Sequence, residues 1–139
     1  MISKKVFLAT DALLAFIDRA HPKHLQAAGY FRYFAQNHFQ LYADVVTINE
    51  TYNELYQKIS PSIARDLMRA IELSSINILQ PEEADTKRSI RMVATAQSVE
   101  LTFSKALMAI TCNKKNIPQI CTFDYLHSLF GLQLFQLPV

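Results

Sequence analysis

The chain has 139 residues, half of them hydrophobic and 19% charged, which is enough material for one core and too little for two ordinary domains. A net charge of +2 is too small to point to a nucleic-acid or membrane partner by itself. The only two glycines, Gly29 and Gly131, lie too far apart for a phosphate-cradling P-loop or a GxGxxG dinucleotide turn.

The first residues carry two lysines, but the apolar stretch after them is too short for a signal peptide. The longest uninterrupted apolar run, Ala12 to Ile17, falls far short of the about 20 residues a membrane span needs. A domain of this size buries about 68% of its unfolded surface and needs no covalent staple. Cys112 and Cys121 are therefore expected as reduced thiols, in a soluble cytoplasmic protein.

In chain order, Val6 to Thr10 is a short apolar run without helical spacing, followed by Asp11 and the apolar Ala12 to Ile17. This order predicts a buried strand, a carboxylate at its end and a helix starting there. From His24 to His38, with Pro22 just ahead, Leu25, Ala28, Phe31 or Arg32, and Phe34 or Ala35 recur at roughly helical spacing. Leu41 to Val45 reads as a second strand, and Ile48, Tyr52, Leu55, Tyr56 and Ile59 as one stripe of the following helix.

Ser60 before Pro61 predicts a capped helix start, with Ile63, Leu67, Ala70, Ile71 and Ser74 facing inward. Ile76 to Leu79 reads as a third strand stopped by Pro81, and Pro81, Glu82 and Glu83 as the start of another helix. A helix over about Phe103 to Lys115 buries Phe103, Ala106, Leu107 and Ile110. Gln119 to Phe123 follows as a fourth strand, Asp124 to Phe130 as a short helix closed by Gly131, and Leu132 to Leu137 as an edge strand. Strands alternating with helices predict a single α/β domain spanning residues 1–139, its mainly parallel sheet covered on both faces.

In such a sheet, ligands bind beyond the carboxyl ends of the strands. Asp11 and Asp124 are expected there, and Glu50, opposite the apolar stripe of its helix, is free to face the same cleft. Hard cations such as Mg²⁺ take oxygen ligands, and three convergent acids would supply them. A site of that kind hydrolyses phosphodiesters by activating water and neutralising phosphoryl charge, without a histidine base.

Four stretches, VFLATDALLAFID, INETYNELYQKIS, LTFSKALMAIT and ICTFDYLHSLFG, resemble in order and spacing the PIN domain, and within it the VapC toxin family of small endoribonucleases. The resemblance implies an α/β/α sandwich, a Mg²⁺- or Mn²⁺-dependent site, RNA as substrate, an antitoxin protein as partner, and pairing of the chain into a homodimer. It assigns four acids, of which Glu50 matches the second and Asp124 the fourth. Ala9 stands at the first position, with Asp11 two residues on, and Lys105 stands at the third.

The family reading therefore gives Asp11, Glu50 and Asp124 as catalytic residues and metal ligands. Two departures, Ala9 and Lys105, argue that catalysis is impaired. Asp11 would reach the metal if the chain there were extended, since residues two apart then point the same way. A lysine ammonium has no lone pair to donate, but it would offset the repulsion among the acids in place of a metal. The expectation is a metal-free, salt-bridged pseudo-active site on an RNA-associated scaffold. The alternative is a non-catalytic protein-interaction module.

Plainer roles stand beside these. Asp11 before Ala12 is an ordinary helix cap, and Glu50 a solvated surface acid near the Glu54–Lys58 pair. His21 and His24 flank Pro22 without a further ligand nearby, and His127 is a possible phosphate contact three residues after Asp124. Tyr30, Phe31, Tyr33, Phe34 and Phe39 serve either the core or a homodimer face. Lys87, Arg88 and Arg91, or Arg65 and Arg69, are the basic residues that would track an RNA backbone.

Overall fold

The strand β1 (Lys5–Leu8) sets the layering, because successive side chains point to opposite faces of a sheet. Val6 and Leu8 enter one core with Ala12, Leu13, Tyr30, Phe34, Cys121 and Phe135. Phe7 enters another, with Met108, Ala109, Cys112, Ile117, Ile120 and Leu132. In this computed structural model, which describes residues 3–124 and 131–137, β2 (Gln40–Asp44), β3 (Asn77–Leu79), β4 (Gln119–Cys121) and β5 (Gln133–Leu134) join β1 in one sheet. The sheet is parallel throughout, in the order β3-β2-β1-β4-β5, with β5 at an edge.

Helices α1 (Thr10–Ile17) and α2 (His24–Gln36) cover the face of Val6 and Leu8. On the other face lies α6 (Phe103–Lys114), backed by α5 (Glu83–Thr95). The hairpin of α3 (Val45–Lys58) and α4 (Pro61–Leu73) closes a third cluster, Leu55, Ala64 and Leu67, against Leu14 and Ile17 of α1. The result is the expected three-layer α/β/α sandwich. Among the described residues no helix is long and apolar enough to cross a membrane.

Local chemistry explains most helix ends. The Ser60 hydroxyl accepts from the Ile63 N–H at 3.1 Å with Pro61 in the first turn, as the sequence predicts. Asp44 caps α3 through Thr47 N–H at 2.7 Å, and Thr102 caps α6 through Lys105 N–H at 3.2 Å. With so few glycines, two helices turn off through other residues in the left-handed region: His38 (φ 57°) after α2 and Asn116 (φ 59°) after α6. At both ends the amide beyond returns to the helix, Phe39 to the Phe34 carbonyl and Ile117 to the Cys112 carbonyl. That bond defines the Schellman closure, which usually carries a glycine.

Several expectations shift. The buried face of α2 is Ala27, Tyr30 and Phe34, while Leu25 is 85% exposed, so the stripe through Leu25 is off by a fraction of a turn. Ser74 is the exposed end of α4 rather than an inward residue. The strands are shorter than their apolar runs, because α1 starts at Thr10 and α3 at Val45, directly at the strand ends. The run Ala106–Cys112 in α6 is buried on every side, which a single-stripe reading misses. The helix expected over Asp124 to Phe130 falls on residues 125–130, outside the described residues, as does His127.

Candidate functional site

The strand order reverses between β1 and β4, and a cavity of about 380 Å³ opens at their carboxyl ends. Ala9, Thr10 and Asp11 reach it from the β1–α1 junction, Thr47, Glu50 and Glu54 from α3, and Ser104 and Lys105 from α6. Thr122 and Asp124 reach it from the segment after β4. Asp11, Glu50, Asp124 and Lys105, all singled out from sequence, therefore line one cleft.

Their carboxylates are differently engaged. Both oxygens of Asp11 accept from the Thr122 hydroxyl at 2.8 Å, and one also from the Phe123 N–H at 2.7 Å. The same Thr122 oxygen accepts from the Asp124 N–H at 3.1 Å. Asp11 is thus a latch between the start of α1 and the segment after β4. Its expected role as a helix cap is corrected: the residue before α1 is Ala9, which makes no side-chain cap bond, and Asp11 lies inside the first turn. The backbone from Thr10 on is helical, so the extended geometry that would let Asp11 stand in for position 9 does not exist.

Glu50 accepts from the Thr10 hydroxyl at 2.7 Å and from the Ser104 hydroxyl at 3.4 Å. Glu54 is paired with Lys58 at 2.9 Å. The Lys105 ammonium lies 3.4 Å from Asp124 Oδ2 and donates to the Glu100 carbonyl at 3.3 Å. Lys105 is held mostly inside the protein, at 25% side-chain exposure, whereas Asp124 is 82% exposed. Three hydroxyl partners, Thr10, Ser104 and Thr122, were not anticipated; the Thr-x-Asp run at Thr122–Asp124 was the available signal for the last.

This donor set does not fit a divalent metal. Mg²⁺ and Mn²⁺ call for several converging carboxylate oxygens, but Asp11 is turned to Thr122 and Phe123 and Asp124 faces an ammonium, which leaves Glu50, held by two hydroxyls, as the one acid of the three without a competing charge or latch. Ala9 offers no donor at all. Among the described residues no group of three or more His, Cys, Asp or Glu side chains is placed to hold a metal.

The other candidates do local work. His21 Nδ1 accepts from the Lys23 N–H at 3.0 Å, and His24 Nδ1 meets the Ala15 carbonyl at 2.9 Å. The α2 aromatics turn inward and pack on one another and on Phe16 and Phe135, with Phe34 and Phe135 at 4.7 Å between ring centroids. Of the basic residues, Arg69 is paired with Asp66 and Lys87 with Glu83.

Neither a protein-family model nor a curated protein sequence matches the chain. Among solved structures, it is similar to Mycobacterium tuberculosis VapC20, described as a sarcin-ricin loop cleaving toxin. The TM-score is 0.79 at 17% identity, over 91% of this chain and 95% of that one. The chain has the VapC-like PIN fold, as its sequence motifs imply.

Proposed function

We propose that this protein is a VapC-like PIN scaffold that associates with RNA at the cleft between β1 and β4 without metal-dependent cleavage. The observation that carries the reading is Lys105: an ammonium stands 3.4 Å from Asp124, at the position the family resemblance gives to an acid. The likeness to a toxin that cleaves the sarcin-ricin loop supports RNA as the ligand class. In this reading Asp11 serves as the latch, and the hydroxyls of Thr10, Ser104 and Thr122 donate to Glu50 and Asp11 and so hold the two acids in the cleft. By the same resemblance, the protein acts in the cytoplasm beside an antitoxin-type partner.

The direct test is fluorescence anisotropy of labelled single-stranded RNA in EDTA. Saturable binding that weakens with salt is expected, since phosphate contacts release counterions. Absence of binding in EDTA and in Mg²⁺ alike would contradict it.

A second reading, a protein-interaction module that includes self-pairing, is favoured by the α3–α4 hairpin. There Tyr56, Ile59, Met68 and Leu73 are large apolar residues left exposed. Of the aromatic set of α2, Tyr30 and Phe34 are buried in the core, while Phe31 and Tyr33 are partly buried against it.

A further inference from the structure

We infer that the Lys105 ammonium is the resident cation of this cleft and that it excludes divalent ions from it. The inference rests on reading the cleft as the PIN site, and it concerns how that site is charge-balanced rather than what it binds.

Lys105 sits in the first turn of α6, where the helix dipole disfavours a cation. It is nevertheless folded inward, bonded to the Asp124 carboxylate and to the Glu100 carbonyl. It therefore ties the loop ahead of α6 to the segment after β4.

A Mg²⁺ or Mn²⁺ ion held by Asp124 Oδ2 at about 2.1 Å would lie no farther than about 5.5 Å from the Lys105 nitrogen. Repulsion between a double and a single positive charge at that range weakens binding about tenfold even with the screening of bulk water, and more in a half-enclosed cleft. Asp11 is already bonded to Thr122 and Phe123, so its oxygens are not turned toward Asp124 as a ready second ligand.

The test is Mn²⁺ titration followed by the paramagnetic resonance of the free ion, on wild type, Lys105→Gln and Lys105→Asp. Binding should be at least tenfold tighter in Lys105→Gln than in wild type. It should be tighter again in Lys105→Asp, and be lost when Asp124→Asn is added. Equal affinity in the three proteins, or one Mn²⁺ held tightly by wild type, would overturn the inference. Should Lys105→Asp fail to fold by circular dichroism, Lys105→Gln decides alone, because it removes the charge and adds no acid. RNA binding in EDTA is read separately, so a failure of the metal inference and a failure of the proposed function give different results.

Discussion

The Asp44 carboxylate is wholly buried at the end of β2, and while Oδ1 caps α3 through Thr47, Oδ2 has no hydrogen-bond partner among the described residues. Burial, opposed by the bonds from Thr47 and reinforced by the nearby Glu50, holds its carboxyl above the ordinary value of 3.8. A raised acid favours the folded state when protonated. That stabilisation is present below the ordinary value and is lost as pH rises through the folded one. Asp44→Asn keeps a capping oxygen and removes the charge, so its stability relative to wild type should be higher at pH 7 than at pH 4. Asp44→Ala loses the cap and should cost about 1 kcal/mol relative to Asp44→Asn. Urea midpoints at the two pH values check both, and a stabilising effect that grew on acidification would contradict the sign.

Asp11 makes a sharper residue-scale prediction. Its bonds to Thr122 and Phe123 join residues more than a hundred positions apart, so Asp11→Ala should lower stability by roughly 2 kcal/mol. Asp11→Asn should recover part of that loss. An unchanged denaturation midpoint in Asp11→Ala would mean the latch contributes nothing. Cys112 and Cys121 are both free and buried, and burial pushes both thiols far up. Neither should react with a thiol reagent until the protein unfolds.

Among the elements, the scarcity of glycine has a measurable cost. His38 and Asn116 hold left-handed backbone that costs a residue with a Cβ about 1–2 kcal/mol, and both are exposed. His38→Gly and Asn116→Gly should each stabilise by up to about 1 kcal/mol, raising the melting temperature by a few degrees in scanning calorimetry. A drop in either would show that the side chain itself closes the helix. The ends of α4 and α5 were legible because their cues are local: Ser60 before Pro61, and Pro81 with its following acids. Lys114, which bridges Glu82 and Asp85 to staple α6 onto α5, was not, because that contact depends on how two helices pack. The same holds for α2, where spacing predicts a helix but only the packing of Tyr30 and Phe34 against Phe135 decides its inward face.

At the scale of the whole molecule, the alternation of strands and helices makes the sandwich legible in the sequence, and the family motifs assign Glu50, Asp124 and Lys105 to one cleft. The state of those residues was not legible. Asp11 could be assigned to a cap, a ligand or neither until the turn at Thr10 was seen to be helical. The Thr-x-Asp run marks Thr122, but that its hydroxyl bonds Asp11 depends on β1 and β4 lying side by side. The account rests on a PIN fold whose acids are divided among a latch, an ion pair and a hydroxyl-held glutamate. Its most direct test is the rate of single-stranded RNA cleavage by purified protein in Mg²⁺ and in Mn²⁺, with Asp124→Ala as control. The predicted result is no cleavage above that control in either metal; metal-dependent cleavage by wild type that Asp124→Ala abolishes would contradict it.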